Sequence, residues 1–188
     1  GNFIDQVTAN ATGDPATNED DVTHRIGIVK FSGNESDQIG NDTYRSDGNT
    51  YNYSQAVQDL TSVTGNVQSL KNAVNELAAA GSTRTDFGLN QAQRVLDGDW
   101  QHGLGGAREE AKQVVVVFTD GEPSTFSNWS GGVAANAVNL AKDLKDDKVT
   151  VYTIGMFEDA DPSDTDGRFN KYMNGVSSNY PNAEVTNW

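Results

Sequence analysis

The 188-residue sequence predicts one α/β domain, a doubly wound and mostly parallel sheet flanked by helices. Residues 113–119 contain four consecutive valines followed by a phenylalanine, and residues 25–31 and 149–156 are also largely apolar. Apolar runs of this length are typical of strands that helices cover on both faces. A helical pattern separates the last two strands, so a right-handed crossover and parallel pairing are expected. The length suits a single domain, spanning residues 1–188, with one core.

The N-terminal part of the chain combines a short helix, a strand and a long polar insert. Residues 2–10 carry apolar side chains at helical spacing. In the strand at 25–31, Gly27 indicates close packing by a neighbouring element. Residues 33–53 are mostly polar with interspersed tyrosines, which predicts a surface insert longer than most connections. A short alternating pattern in residues 56–63 predicts an edge strand.

Apolar residues at spacings of three and four predict the remaining helices. The clearest pattern covers residues 66–80 and is followed by Gly81, a residue type that commonly ends helices. Further helices are predicted at 86–96, 133–146 and 169–176.

Composition excludes several classes of partner and site. The formal net charge of -14, from 27 acidic and 13 basic residues, repels nucleic-acid phosphates and anionic lipids. Because the chain has no cysteine, it forms neither a disulfide nor a thiolate metal site. No apolar stretch approaches the ~20 residues that span a bilayer. We therefore expect no nucleic acid and no membrane insertion in this segment, with any targeting segment outside it.

Residues with hydroxyl or carboxylate side chains follow the predicted strands and helices at positions that favour a ligand site. Asp120 ends the valine strand, and ligands of parallel α/β sheets bind beyond the carboxyl ends of strands. Asp-Gly is also a common turn dipeptide, so a simple turn remains the alternative. Ser32 follows the strand at 25–31, and Thr83 and Thr85 lie between two helices. Hydroxyls and carboxylates are the ligands of hard cations such as magnesium, manganese or calcium.

Four segments carry a recognisable set of motifs in one order along the chain: Arg-Ile-Gly-Ile-Val-Lys-Phe-Ser at 25–32, Gly-Ser-Thr-Arg-Thr-Asp at 81–86, Val-Val-Val-Phe-Thr-Asp-Gly-Glu-Pro at 115–123 and Val-Thr-Val-Tyr-Thr-Ile-Gly at 149–155. Together they resemble a von Willebrand factor type A (VWA) domain. The resemblance implies a Rossmann-like fold and a metal-ion-dependent adhesion site. By position, Thr83 resembles the family's coordinating threonine and Asp120 its aspartate.

The chain also departs from the family pattern. The family's Asp-x-Ser-x-Ser motif, at the end of its first strand, does not occur in the 188 residues. The resemblance places that strand centrally, between 25–31 and 113–119, so we expect this chain to be a fragment that lacks it and the last helix. Thr83 and Asp120 alone fall far short of the usual six or so oxygen ligands. The divalent cation of the intact domain is therefore expected to bind this chain weakly or to be absent.

The resemblance favours a non-enzymatic adhesion module. The cysteine-free, acidic chain looks like the VWA domains of Gram-positive bacterial pilus or cell-wall adhesins. It is then expected at the cell surface or cell wall, within a larger protein that binds a host or matrix protein or another surface subunit. One alternative is an intracellular VWA subunit that docks an ATPase or a metal-insertion complex. A hydrolase has less support, because no Gly-x-Ser-x-Gly elbow occurs.

Other residues near the predicted site are candidates for a ligand-binding rim. Glu122 and Trp129 follow the Asp120 turn, and with Ser32 and Thr85 they form this predicted rim. Separately, the acidic residues in 159–167 resemble part of a calcium loop, although no downstream glutamate completes its spacing. A solvated acidic loop is the alternative.

Overall fold

The computed structural model describes residues 2–11, 24–33, 36–39, 42–99, 106–125, 128–156, 163–164 and 166–179, without the side chains of 36–39. Its elements, in chain order, are α1 (Asn2–Ala9), β1 (Arg25–Lys30), β2 (Ser36–Ile39), β3 (Thr43–Ser46), β4 (Asn49–Asn52), β5 (Ser54–Ser62), α2 (Val67–Asn75), α3 (Thr85–Asp97), β6 (Val114–Thr119), β7 (Ser124–Thr125), β8 (Asn128–Trp129), α4 (Gly131–Asp146), β9 (Thr150–Gly155) and α5 (Arg168–Val176). Helices combine with both parallel and antiparallel strands among the described residues, which confirms the predicted α/β class.

The valine strand β6 pairs in parallel with β9, in continuous register from Val114 and Thr150 to Thr119 and Gly155. The connecting helix α4 begins at Gly131, somewhat before the predicted start. The reason is the N-cap Ser130, whose hydroxyl accepts a hydrogen bond from the Val133 amide at 3.3 Å. The predicted parallel pairing is confirmed for this β6–β9 half-sheet, with α4 between its two strands.

A second half-sheet has the strand order β1–β5–β2. Strand β5 runs antiparallel to β1 and parallel to β2. The prediction that this strand lies at an edge was wrong, because β2 of the insert pairs with its other side. Since β2 is polar in sequence, its pairing partner could not be read from an apolar pattern.

The insert also contains the β3–β4 hairpin. Its turn residues Asp47 and Gly48 have φ of 49° and 82°, as a type I′ turn requires. Tyr44 stacks on Tyr51 with ring centroids 5.5 Å apart and lies 4.7 Å from the Tyr53 ring. Aromatic packing therefore orders a segment that has few aliphatic side chains.

Helix α2 ends at Asn75, well before the predicted end at residue 80. The following backbone turns toward the insert instead, where the Ala78 and Ala80 carbonyls accept hydrogen bonds from Asn52. Tertiary hydrogen bonds thus replace those of the last helical turn. The next helix, α3, ends as predicted by helical periodicity, with Gly98 in the left-handed conformation at φ 73°.

Helix α3 lies against both half-sheets. On one side, the backbone of Gly27 in β1 approaches it so closely that a Cβ there would lie 3.0 Å from Val95 Cγ1. Phe31 likewise fits against Gly88. On the other side, Leu89 belongs to the main core with Val117 of β6 and with residues of α4, β9 and α5. A smaller core joins α1, α2 and β1.

One face of the β6–β9 half-sheet is exposed, whereas the sequence predicted that helices cover both faces. Val114, Phe118, Tyr152 and Ile154 are exposed, so one face carries no covering helix among the described residues. The predicted burial of both faces was therefore wrong. Within the same described ranges, β1 and β6 belong to separate sheets and no strand pairs with the edge of β6 opposite β9.

Candidate functional site

The loop before α3 meets the turn after β6. Thr83 Oγ1 lies 3.0 Å from the position that a Cβ on Gly121 would occupy. The φ of Gly121 is not positive, so glycine here eases this close approach rather than an unusual backbone conformation. Asp120, directly before Gly121, is exposed. The fold thus brings the Thr83 hydroxyl to the turn that carries the Asp120 carboxylate.

One backbone–backbone hydrogen bond and two hydrogen bonds that involve side-chain hydroxyls fix this approach. The Thr83 amide donates to Ser124 Oγ at 3.0 Å, and the Ser124 amide donates to the Thr83 carbonyl at 3.1 Å. Within the turn, the Thr119 hydroxyl donates to the Gly121 carbonyl at 2.9 Å. The Asp120 turn and the Thr83 loop therefore form one hydrogen-bonded unit.

Ser32 and Thr85, two of the predicted rim residues, are buried rather than open to a ligand. The Ser32 amide donates to Ser54 Oγ at 2.9 Å, and its hydroxyl donates to the Ala80 carbonyl. Thr85 accepts a hydrogen bond from the Tyr172 hydroxyl at 2.5 Å. Both side chains have structural partners in this conformation.

The other two predicted rim residues, Glu122 and Trp129, are linked through Arg168 of α5. The guanidinium Nη2 lies 2.9 and 2.7 Å from the two carboxylate oxygens of Glu122. Its Cζ lies 4.3 Å above the Trp129 ring, which also meets Tyr172 edge-on at 6.2 Å. Trp129 therefore packs on the main core, and Glu122 is half-exposed in an ion pair.

The donors at this site fit a hard cation in kind but are few. Thr83 and Asp120 offer a hydroxyl and a carboxylate, which suit magnesium or manganese. Among the residues that the structure describes, no group of three or more His, Cys, Asp or Glu could hold a metal ion. Of the acidic segment 159–167, residues 159–162 and 165 lie outside the described residues, and the calcium hypothesis stays a prediction.

Sequence analysis did not identify the residues that hold this site together. Ser124, Asn52 and Arg168 are polar residues whose neighbouring sequence gives no indication of these contacts. Their partners lie far along the chain, so local patterns carry no signal for them. Asn52, at 5% exposure, is recognisable only once its burial is known.

Comparison with known families identifies the class of protein. The von Willebrand factor type A domain matches residues 2–180, which is almost the whole chain. The chain therefore belongs to the VWA family, a family of generally non-catalytic, protein-binding domains.

Among solved structures, the chain is similar to the manganese-loaded Plasmodium vivax TRAP protein at 23% identity and a TM-score of 0.45. The similarity covers 70% of this chain and 46% of that one, so this chain spans less than half of its length. A search of curated proteins finds no match. Within the described ranges, no helix is long and apolar enough to cross a membrane.

Proposed function

We propose that this chain is a non-enzymatic adhesion module that binds a protein partner through a divalent cation. Thr83 and Asp120, at the carboxyl end of β6, supply two of the ligands of this cation, which is magnesium or manganese. The module belongs to a larger adhesin or pilus protein on the cell surface or wall of a Gram-positive bacterium. Its partner is a host or matrix protein, or another subunit of the surface assembly.

The observation that carries this proposal is the approach of Thr83 to the Asp120 turn. These residues are far apart in sequence, yet Thr83 Oγ1 is 3.0 Å from the Cβ position of Gly121. They occupy the positions at which the family resemblance expects cation ligands. Asp120 is exposed, so its carboxylate and any bound cation are open to a ligand carboxylate from a partner.

The histidine among the described residues lies far from this site. His24, the histidine among the described residues, precedes β1, and its carbonyl accepts from Val63 at the end of the strand away from Ser32. A six-residue strand spans about 20 Å, so His24 is remote from the Thr83 loop that Ser32 contacts. No described histidine therefore lies within reach to act as a general base.

The cation site is tested by titrating ¹⁵N-labelled chain with millimolar Mn²⁺ and measuring paramagnetic broadening of amide signals. We expect the strongest broadening at Thr83 and Gly121, and its loss in Asp120→Ala. Glu110→Ala is the matched control, because it removes the same charge from an exposed turn at the opposite end of β6. Equal broadening in the unchanged chain and Asp120→Ala would contradict the assignment of Asp120.

The adhesive role has a separate readout in the same set of proteins. Immobilised chain should capture a matrix protein from solution in Mn²⁺ and release it in EDTA. Asp120→Ala should lose this capture, whereas Glu110→Ala should retain it. Capture that persists in EDTA would show that the partner contact does not use the cation.

A further inference from the structure

Thr83 is held in place from the side of the Asp120 turn by Ser124. The Ser124 hydroxyl accepts from the Thr83 amide at 3.0 Å, and the Ser124 amide donates to the Thr83 carbonyl at 3.1 Å. Ser124 is itself fixed, because it pairs with Trp129 in the β7–β8 ladder. Trp129 packs against the main core. The peptide groups on both sides of the Thr83 Cα are thus tied to an anchored strand.

The residues before Thr83 are held by Asn52, at the end of β4, and by Ser32, which follows β1. The Asn52 amide donates to the Ala80 carbonyl at 3.4 Å, and Asn52 Nδ2 donates to the Ala78 carbonyl. The Ser32 hydroxyl also donates to the Ala80 carbonyl. Asn52 closes the β3–β4 hairpin, and its own carbonyl accepts from Gly33 at 2.9 Å.

The buried polar side chains in these contacts depend on their hydrogen-bond partners. Asn52 and Ser32 are 5% and 7% exposed, and a buried polar group that loses its partner is costly. The Ala78–Ser82 backbone has no helix or strand of its own. The position of the Thr83 backbone is therefore set by contacts from outside this loop rather than by local secondary structure.

We propose that Ser124 and Asn52 are positioning residues for Thr83, Ser124 by direct contact and Asn52 through the backbone of Ala78 and Ala80, so that the Thr83 hydroxyl stays at the Asp120–Gly121 turn. Through Asn52, the β3–β4 hairpin becomes a structural part of the cation site. This inference rests on the proposed function, in which Thr83 is a cation ligand. Ser124 and Asn52 do not themselves touch the cation.

The test compares Ser124→Ala with Ser124→Thr, which keeps the hydroxyl, and with Thr125→Ala as the neighbouring control. Asn52→Ala is paired with Asn49→Ala, an exposed residue of the same hairpin. For each variant, Mn²⁺ broadening at Gly121, hydrogen exchange of the Thr83 amide and urea unfolding are measured. Loss of an outer contact to a metal ligand typically weakens binding by about tenfold or more.

We expect Ser124→Ala and Asn52→Ala to need about tenfold more Mn²⁺ for half-maximal broadening. Ser124→Thr, Thr125→Ala and Asn49→Ala should match the unchanged chain. Thr83 amide exchange should accelerate in Ser124→Ala and recover in Ser124→Thr. Recovery in Ser124→Thr and the exchange rate of the Thr83 amide both report on the contact between these two residues. A general loss of stability would therefore not reproduce this pattern.

The two proposals fail in different ways. If the unchanged chain shows no broadening at Thr83 and Gly121, the cation function is overturned, and with it the positioning role. If the unchanged chain binds Mn²⁺ but Ser124→Ala and Asn52→Ala bind it equally well, the cation function stands and the positioning role is overturned. Unchanged Thr83 amide exchange in Ser124→Ala would also overturn the Ser124 contact.

Discussion

The two faces of the β6–β9 half-sheet are alike in composition and opposite in environment. On one face, Val117 and Val151 lie in the main core under α4 and α5, at 7% and 0% exposure. On the other face, Phe118 and Tyr152 are 45% and 53% exposed. Apolar composition therefore set which residues form strands, whereas the position of neighbouring helices set which face was buried.

The two edges of the same half-sheet differ in a related way. The outer edge of β9 is covered at Val151, whose amide donates to Ser178 Oγ at 2.8 Å and whose carbonyl accepts from the Ser178 amide. On β6, the carbonyls of Gln113 and Thr119 accept from β9 and its extension. Backbone groups alternate in direction along a strand, so those of Val116 point to the other edge. No described strand pairs there.

The largest expected effect comes from placing a charge in the packed face of the β6–β9 half-sheet. Val117→Asp places a carboxylate in the main core without a partner, and we expect a loss of unfolding free energy of about 4 kcal/mol or more. Phe118→Asp makes the same charge change on the open face and should cost below about 1 kcal/mol. Urea unfolding measures both. Similar losses would show that the Phe118 face is buried in solution.

A smaller effect separates the two edges of β6. Val115→Pro removes an amide that points to β9, whereas Val116→Pro removes one that points to the open edge. Proline is tolerated in strands only where its missing N–H faces outward. We expect Val115→Pro to lower the unfolding free energy by about 1–2 kcal/mol more than Val116→Pro.

Val116→Ala is the matched control for this comparison, because it shortens the side chain and keeps the amide. If Val116→Pro were as damaging as Val115→Pro relative to this control, the edge opposite β9 would be paired in solution.

The smallest effect concerns Tyr172, which closes the packed face from α5. Burial raises the pKa of the Tyr172 hydroxyl above its usual range, and this hydroxyl donates a hydrogen bond to Thr85 Oγ1 at 2.5 Å. The folded state then binds this proton more tightly than the unfolded state, so the contribution to stability is complete below pH ~10 and declines as the pH rises beyond it.

Tyr172→Phe removes both the hydrogen bond and this titration. We expect a loss of about 1 kcal/mol at neutral pH, because Thr85 keeps a buried hydroxyl without its Tyr172 partner. The loss should shrink above pH ~10, where the unchanged chain is itself destabilised. Unfolding curves at neutral and alkaline pH measure this difference. A loss that is constant with pH would show that Tyr172 titrates normally.

The sequence predicted most elements because their signals are local. Periodicity located α3 and α4, and the apolar runs located β1, β6 and β9. Helical periodicity placed the end of α2 at residue 80. The backbone beyond Asn75 instead accepts hydrogen bonds from Asn52, which is far away in the chain, so no local pattern marks the true end of this helix. The edge position of β5 was wrong for the same reason, since its second partner is a polar strand within the insert.

For the candidate site, motifs identified Thr83 and Asp120, and the fold brought the Thr83 loop to the Asp120 turn. Their role as cation ligands stays a prediction. Trp129 was expected at a ligand-binding rim, but it meets Tyr172 edge-on and lies under Arg168. Its packing depends on a helix that the sequence predicted but could not orient.

By itself, the sequence determined the VWA motifs, the strands and helices, the acidic and cysteine-free character, and the two candidate ligand positions. These properties follow from residue type and short-range spacing. Only the tertiary structure decided which face of β6 is buried, how closely Thr83 approaches Gly121, and that Ser124 and Asn52 contact the Thr83 loop. Each of these depends on contacts between segments distant in the chain, and local patterns do not encode such contacts.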